Sequence, residues 1–236
     1  MKYIDYQDDL KKLNEVHSFV CRHRKLTKNQ NNALNNYASL IGIPYQKKMI
    51  NFQYIFNNEH PVILEIGFGI GHSLIRQAIN NPDNNFIGIE VYLPGIASCL
   101  NLAIKSKAKN LRIIYYNAIK VLNQMIPNNS LWKMQLFFPD PWPKNKHHKR
   151  RIVNIDFAQL VLRKLNFGGY FHIATDCCSY ANYIFSIMKT ISTDQAIFYE
   201  STKSCLKSSR PTTKFEQKAN NLGYPVQDLI YQKMKR

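Results

Sequence analysis

Short apolar runs separated by amphipathic stretches characterise the chain from residue 61 onward. A nearly continuous apolar run predicts a strand that is covered on both faces of a parallel sheet. Glycine and proline mark the ends of the intervening helices. Alternation of strands and helices at this spacing predicts an α/β fold with a doubly wound, mostly parallel sheet. The predicted strands are 62–66, 86–91, 111–116, 135–138 and 170–175, and the predicted helices are 72–80, one after Pro94 and one from about 152 to 165 that stops at Gly168-Gly169.

The two ends of the chain have weaker patterns. The first sixty residues are polar and rich in Asn and Lys, which predicts a basic N-terminal arm over 1–60 with short helical pieces and few core residues. Residues 61–236 then form the predicted catalytic domain. Beyond residue 190 we expect one or two antiparallel edge strands, one of them at 226–232.

The charge balance of the chain indicates a class of partner. Lys and Arg number 32 against 15 Asp and Glu, giving a formal net charge of +17, and 45% of the residues are apolar, enough for a sizeable core. Such an excess attracts polyanions and favours nucleic acid or an anionic membrane surface. AT-rich coding, which enriches Lys, Asn and Ile, can supply part of it.

Several classes of protein are disfavoured by the sequence. No apolar run approaches the roughly 20 residues of a membrane-spanning helix, and the N-terminus lacks the apolar core of a signal peptide. The five cysteines are odd in number and show no C-x-x-C spacing, so neither a disulfide framework nor a zinc site is indicated. We expect a soluble, cytoplasmic protein with reduced cysteines.

The first strand ends in a glycine loop, Glu65-Ile66-Gly67-Phe68-Gly69-Ile70-Gly71. Ligands of doubly wound sheets bind at the carboxyl ends of the strands. A nicotinamide cofactor fits this loop poorly, because the dinucleotide fingerprint G-x-G-x-x-G places its third glycine one residue later. An acid before the loop suits S-adenosylmethionine, which carries a sulfonium and an amino group. Glu90, ending the second strand, is placed to accept ribose hydroxyls, and Asn117 either reads the adenine edge or is a turn residue at a strand exit.

The most unusual segment is Phe137-Phe138-Pro139-Asp140-Pro141-Trp142-Pro143. Its three prolines restrict the backbone around Asp140, at the end of a central strand, where the methyl donor is expected. Trp142 can stack on a base, which contributes about 1–3 kcal/mol. The basic cluster 144–151 that follows can hold phosphates, and its adjacent histidines are expected to be solvated rather than to bind metal.

Two further segments carry candidate substrate residues. Asp176 closes the fifth strand and either contacts the acceptor together with Thr175 or caps the following helix. Residues 209–216 combine cations, hydroxyls and an acid in a predicted loop whose role is ambiguous when taken alone.

The order of these segments resembles the bacterial tRNA (guanine-N7)-methyltransferases, which have the class I adenosylmethionine-dependent fold with a seven-stranded sheet. The resemblance covers nearly the whole chain, and its most specific parts are F-F-P-D-P-W and T-K-F-E. One departure is Asn117, where the family usually has Asp. The segments that carry the resemblance are 21–25, 64–69, 88–91, 137–144, 149–151, 174–176 and 213–216.

The resemblance implies transfer of a methyl group from S-adenosylmethionine to N7 of guanine 46 in the variable loop of tRNA, by a monomer. It places Glu65, Gly67, Gly69, Glu90, Asn117 and Asp140 at the cofactor, Asp140 as the catalytic acid, and Lys144, Asp176, Thr213, Lys214, Phe215 and Glu216 at the substrate. Guanine N7 has a free lone pair, so no base is needed to activate it. The role we assign to Asp140 is to accept hydrogen bonds from the purine and to stabilise its developing positive charge.

Two alternatives remain open at this point. One is a methyltransferase acting on an amino group of another base, for which a D-P-P turn is typical, and Pro139-Asp140-Pro141-Trp142 lacks the double proline after the acid. The other is a non-catalytic RNA-binding protein on the same fold. The intact set of Glu65, Gly67, Gly69, Glu90 and Asp140 counts against that alternative.

Overall fold

A computed structural model describes residues 18–19, 25–191, 196–200 and 210–235. Within these ranges, seven strands form one sheet in the order β3-β2-β1-β4-β5-β7-β6. The arm residues 21–24 and Ser209, which the sequence analysis singled out, lie outside the described residues. The strands are β1 (Val62–Ile66), β2 (Asn85–Glu90), β3 (Leu111–Tyr115), β4 (Leu131–Phe137), β5 (Leu165–Thr175), β6 (Ala196–Glu200) and β7 (Gln227–Lys235).

Helices connect the strands, and several begin at a side-chain cap. Asn117 and Asn154 each accept backbone amides at a helix start, and Thr27 forms a reciprocal capping box with Gln30. The helices are α1 (Lys28–Ile41), α2 (Phe52–Phe56), α3 (His72–Asn80), α4 (Leu93–Lys105), α5 (Ala118–Gln124), a 3₁₀ helix (Asn145–Arg150), α6 (Ile155–Lys164), α7 (Cys178–Thr190) and α8 (Lys214–Asn221).

The direction of the strands defines where a ligand can bind. Strands β3, β2, β1, β4 and β5 are parallel, and the chain order reverses between β1 and β4, which lie side by side. Strand β7 runs antiparallel between β5 and β6. The predicted doubly wound, mostly parallel α/β fold is confirmed. The antiparallel strand expected at 226–232 is present as β7, but the expectation that it lies at the edge of the sheet is wrong, because it pairs with β5 and β6; β6 is the edge strand on that side.

The predicted end of helix α6 at Gly168-Gly169 is wrong. The helix stops at Lys164, and β5 begins at once with Leu165, so both glycines lie inside the strand. A Cβ on Gly169 would lie 3.0 Å from the carbonyl oxygen of Trp132. Glycine at 169 therefore allows the close approach of β4, and it does not end a helix.

Residues 25–60 belong to the core more than the sequence predicted. Six apolar residues of this segment are buried in the main cluster. The backbone amides of Ile43 and Ile50 also donate to the carbonyl oxygens of Ile113 and Met125, both at 2.8 Å. The expectation of few core residues is wrong for this part of the chain, while a domain boundary at residue 60 stays a prediction. The six buried apolar residues of this segment are Ala33, Ala38, Ile41, Ile43, Ile50 and Phe56.

None of the helices in the described ranges has the length and apolar character that crossing a membrane requires.

Neighbouring residues on α1 test whether this segment stabilises the domain. Ile41 is 7% exposed and Leu40 is 61% exposed. We expect Ile41→Ala to lower the free energy of unfolding by about 2–3 kcal/mol in urea titrations, because it leaves a cavity against the sheet. Leu40→Ala, the matched control, should change it by about 0.5 kcal/mol or less. Equal, small effects of both variants would mean that α1 does not contribute to the core.

Candidate active site

The glycine loop lies at the carboxyl end of β1, beside the reversal of strand order. Gly67 and Gly69 have φ of 73° and 60°, a region that favours glycine, and a Cβ added to either would meet no atom within 4 Å. The space into which side chains at these two positions would project is therefore open. This combination of left-handed backbone and free space fits the cradle that a bound nucleoside requires.

Glu90 holds this loop in place. Its Oε2 accepts the amide of Gly69 at 2.7 Å, and its Oε1 accepts the amides of Val91 and Tyr92 at 2.6 and 3.0 Å. Burial raises the pKa of the Glu90 carboxyl, and these amide hydrogen bonds oppose the rise. Three of the carboxylate's roughly four acceptor positions are filled, so one is left for a ribose hydroxyl. Sequence reasoning had not identified this role in holding the loop.

Glu65 is the second buried acid, 3% exposed on β1. Within the described residues, its one side-chain hydrogen bond is a long one, which Oε2 accepts from Gln77 Nε2 at 3.4 Å. Burial raises the pKa of Glu65 to about 8, the nearby Glu90 adds to the rise, and Lys133 partly offsets it. A positive charge beside these two buried acids stabilises their ionised forms, so the site favours a cationic ligand.

Gly95 is a site residue that the sequence analysis missed. A Cβ at this position would lie 2.4 Å from the carbonyl oxygen of Gly69, so the first turn of α4 packs directly against the glycine loop. The sequence contained one indication of this role: Gly95 directly follows Pro94 in the predicted first turn of a helix, where a residue with higher helix propensity is otherwise preferred.

Asn117 serves as the N-cap of α5. Its Oδ1 accepts the amides of Ile119 and Lys120 at 2.9 and 3.2 Å. Both lone pairs of that oxygen are therefore used in this conformation, as expected for a turn residue at a strand exit. The side-chain amide nitrogen is the group left to contact a nucleobase.

The Pro-Asp-Pro-Trp turn has an unusual backbone. Phe138 and Trp142 both have positive φ, 51° and 45°, which is strained for bulky side chains. The Phe138 amide donates to the carbonyl oxygen of Ala174 at 2.8 Å. The buried Arg151 donates from Nε to the carbonyl oxygen of Pro141 at 2.9 Å. These bonds hold the turn from both sides, while the Asp140 side chain is exposed at its centre.

Trp142 is less available for stacking than the sequence suggested. The guanidinium of Arg150 lies over its ring at 3.8 Å, and His147 contacts it edge-on at 5.8 Å. One face of the indole is thus occupied by a cation of the basic cluster, and a base can reach only the other face.

Asp176 does not cap α7. The N-cap residue is Cys177, which makes no side-chain capping bond, and the Cys177 amide donates to Thr175 Oγ1 at 3.2 Å. The capping alternative is therefore wrong. Asp176 is half-buried at the end of β5, next to the strand end that carries Phe138.

The predicted loop over 209–216 is in part a helix. Thr213 and Glu216 form a capping box at the start of α8, which includes Lys214 and Phe215. The ring of Phe215 is 65% exposed and stacks on Phe138 at 6.1 Å between centroids. The antiparallel register of β5 with β7 pairs Ala174 with Asp228 and Thr175 with Gln227, so the chain leaves α8 and enters β7 at the same edge.

The sheet therefore collects the predicted residues in two neighbouring groups. Those at the ends of β1, β2 and β3 are Glu65, Gly67, Gly69, Glu90 and Asn117; those at the ends of β4 and β5 and on α8 are Asp140, Lys144, Asp176, Thr213, Lys214, Phe215 and Glu216. No group of three or more metal-ligating side chains occurs in the described part of the chain.

The chain is 43% identical over 231 residues to the tRNA (guanine-N(7)-)-methyltransferases of Salmonella typhimurium strain LT2 and Escherichia coli strain UTI89, across 98% of this chain and 97% of each relative. A family model described as "Putative methyltransferase" matches residues 59–229. The chain belongs to the tRNA (guanine-N(7)-)-methyltransferase family. Membership confirms the resemblance inferred from the sequence.

Two solved structures share the fold at low identity. The 16S rRNA methyltransferase KamB has a TM-score of 0.54 and 10% identity, covering 80% of this chain and 95% of that one. The 30S ribosomal A1408 methyltransferase from an uncultured bacterium has a TM-score of 0.50 and 17% identity, covering 82% and 99%. These similarities support the fold class only.

The raised pKa of Glu65 predicts a pH-dependent stability in the absence of ligand. The folded protein holds this proton up to about pH 8, whereas the unfolded chain releases it near pH 4.5. The stability that the protonated Glu65 contributes to the folded state is therefore complete below pH 4.5 and is lost as the pH rises to 8. The loss is at most about 1.4 kcal/mol per pH unit. Urea unfolding from pH 5 to 8.5 should give a flatter profile for Glu65→Gln, whereas the exposed control Glu59→Gln should parallel the parent. Parallel profiles for all three proteins would contradict the assignment.

Proposed function

We propose that this protein transfers a methyl group from S-adenosylmethionine to N7 of guanine 46 in tRNA. The observation that carries the proposal is the pair of buried carboxylates, Glu65 and Glu90, beside an open glycine loop. They stand next to a rigid turn that presents Asp140. Family membership supplies the reaction class, and the relatives' names supply tRNA and guanine N7.

S-adenosylmethionine supplies an electrophilic methyl group on a sulfonium when it is bound. A cation next to Glu65 lowers the raised pKa of its carboxyl, so Glu65 ionises and provides the negative charge that the cationic groups need in a buried site. The remaining acceptor position of Glu90 suits a ribose hydroxyl. Gly67 and Gly69 keep the backbone side of this space free of Cβ atoms. The Asn117 side-chain nitrogen is the polar group offered to the adenine.

Asp140 is the residue we propose to act on the guanine. The N7 lone pair needs no deprotonation, so the chain's task is to hold the purine in line and to stabilise the positive charge that it acquires. A carboxylate accepts hydrogen bonds from guanine N1 and N2 and provides that charge. Two hydrogen bonds fix the turn that carries Asp140: the Phe138 amide donates to the carbonyl oxygen of Ala174, and Arg151 Nε donates to the carbonyl oxygen of Pro141.

The residues proposed for the substrate lie at the same edge of the sheet as Asp140. Asp176 and α8 lie at the ends of the neighbouring strands, and the 3₁₀ helix that follows the turn is basic along most of its length. Cations of this kind bind phosphates without reading sequence. We propose that they hold the tRNA backbone while the side chains Lys144, Asp176, Thr213, Lys214, Phe215 and Glu216 contact the nucleotide. The proposal includes action as a monomer in the cytoplasm, with 1–60 as a basic arm and 61–236 as the catalytic domain.

Tritium transfer from labelled cofactor to unmodified tRNA, followed by chain cleavage at 7-methylguanosine, tests the activity. We expect one labelled site at position 46. Label at a base that resists this cleavage would indicate a different target base, and absence of label with retained tRNA binding would indicate a non-catalytic RNA-binding protein.

Asp140→Asn should lower kcat by at least about 100-fold, because removal of one preorganised charge of this kind costs about 10²–10³. The Kd for tRNA should stay within about threefold, since phosphate contacts supply most of the affinity. Single-turnover transfer and filter binding measure the two quantities. Asp156→Asn, on the exposed start of α6, is the control, and an unchanged kcat in Asp140→Asn would refute its role.

Exposed lysines of the 3₁₀ helix should contribute affinity but not chemistry. Lys146→Ala combined with Lys149→Ala removes two exposed cations and should weaken tRNA binding while lowering the slope of log K against log salt by about 1–2. Lys105→Ala combined with Lys189→Ala, near the ends of α4 and α7, should leave that slope unchanged. Equal slopes for both double variants would exclude a phosphate contact here.

A further inference from the structure

Arg210 is a buried arginine that precedes α8 and joins it to β7. Its side chain is 3% exposed. It donates to both oxygens of Asp228, from Nε at 2.6 Å and from Nη2 at 3.0 Å. It also donates to both oxygens of Glu216, from Nη1 at 2.5 Å and from Nη2 at 3.0 Å. One guanidinium thus bridges two carboxylates in paired geometry.

The Asp228 side of this bridge is part of the sheet. Asp228 lies in β7 opposite Ala174, and its Oδ1 is 2.7 Å from Nε2 of the fully buried His172 on β5. Although burial raises the pKa of Asp228, the hydrogen bonds from His172 and Arg210 lower it to about 2. The carboxylate is therefore a fixed, charged anchor for Arg210.

The Glu216 side of the bridge belongs to the first turn of α8. Glu216 Oε2 also accepts the Thr213 amide at 3.3 Å, and the Glu216 amide donates to Thr213 Oγ1 at 3.1 Å. With the two bonds from Arg210, three of the acceptor positions on Glu216 are filled. Arg210 therefore fixes the position of the first turn of α8. It also leaves Glu216 with one position at which it can accept a further hydrogen bond.

Arg210 also contacts the end of β4. Its guanidinium lies over the rings of Phe137 and Phe138 at 5.6 and 5.9 Å. Phe138 in turn stacks on Phe215 of α8. The strand end that leads into Asp140, the helix start that carries Thr213 and Glu216, and strand β7 therefore all meet at one side chain.

We propose that Arg210 is a positioning residue that holds the 213–216 segment against the Asp140 turn, so that both face one bound nucleotide. The kinetic effects expected from this role rest on the proposed function. Without the guanidinium, Asp228 and Glu216 become two partly buried like charges that repel. The start of α8 then moves away from β7, while the glycine loop with Glu65 and Glu90, on other strands, keeps its geometry.

Arg210→Lys and Arg210→Ala test the proposal, with Arg112→Lys as the matched control. Arg112 is half-buried on β3, donates to three backbone carbonyl groups and lies over Phe56, so its replacement perturbs packing away from α8. In Arg210→Lys we expect kcat/KM for tRNA to fall at least 10-fold and KM for S-adenosylmethionine to stay within twofold. The control should keep both within twofold.

Hydrogen exchange of the α8 amides, measured on the full chain without substrates, is the second readout. We expect exchange at residues 217–221 to be at least tenfold faster in Arg210→Lys and unchanged in α3. Because this readout needs no activity, faster exchange supports the anchoring role even if the parent fails to methylate tRNA, a result that would refute the proposed function alone.

A double variant separates positioning from general loss of structure. If Arg210 acts through Glu216, then Arg210→Ala combined with Glu216→Ala should lose no more than about threefold beyond Glu216→Ala alone. Fully multiplicative losses would overturn the proposal. It would equally be overturned by an Arg210→Lys variant with unaltered kinetics and exchange, or by one in which KM for the cofactor rises in parallel. Should Arg210→Ala fail to fold, Arg210→Lys decides.

Discussion

The site depends on one constraint: parallel strands present their carboxyl ends at the same edge of a sheet. Where the chain order reverses between β1 and β4, the connections leave toward opposite faces and a crevice opens above the strand ends. Residues that are 75 positions apart, such as Glu65 and Asp140, reach one edge for this reason alone. The antiparallel β7 adds the start of α8 to the same edge.

Charge is distributed unevenly across that edge. The part formed by β1 and β2 buries Glu65 and Glu90, in a chain whose formal net charge is +17. The part formed by β4 and β5 leads into the basic 3₁₀ helix. A cationic ligand is favoured at the first, and a polyanion at the second. This separation is what a reaction between a sulfonium and a nucleic acid requires, since each partner is attracted to its own half of the site.

Rigidity at the second half is achieved by arginines acting on the backbone and on acids. Arg151 binds the carbonyl oxygen of Pro141, Arg150 covers Trp142, and Arg210 bridges Asp228 and Glu216. Each is engaged with the protein itself. The excess of cations is therefore not entirely a surface for tRNA, and some of it organises the residues that tRNA would contact.

Local patterns in the sequence were sufficient for the fold class, the bounds of β1 and α3, and the grouping of Glu65, Gly67, Gly69, Glu90 and Asp140 at strand ends, because apolar runs and glycine turns are local signals. They were insufficient where a long-range contact decides the outcome. Gly169 lies in a strand because β4 passes against it. The apolar residues of 25–60 are sparse along the chain, yet they bury because the sheet supplies their partners.

The same distinction applies within the site. The sequence identified the acidic and amide residues of the site, but it did not predict their hydrogen-bonding partners. Glu90 holds the loop, the Asn117 oxygen is used by α5, and Glu216 is paired with Arg210, each through geometry that tertiary packing creates. A sequence specifies which groups a chain has to offer; only the packed structure determines which of their lone pairs and protons remain for a ligand, because buried polar groups first satisfy one another.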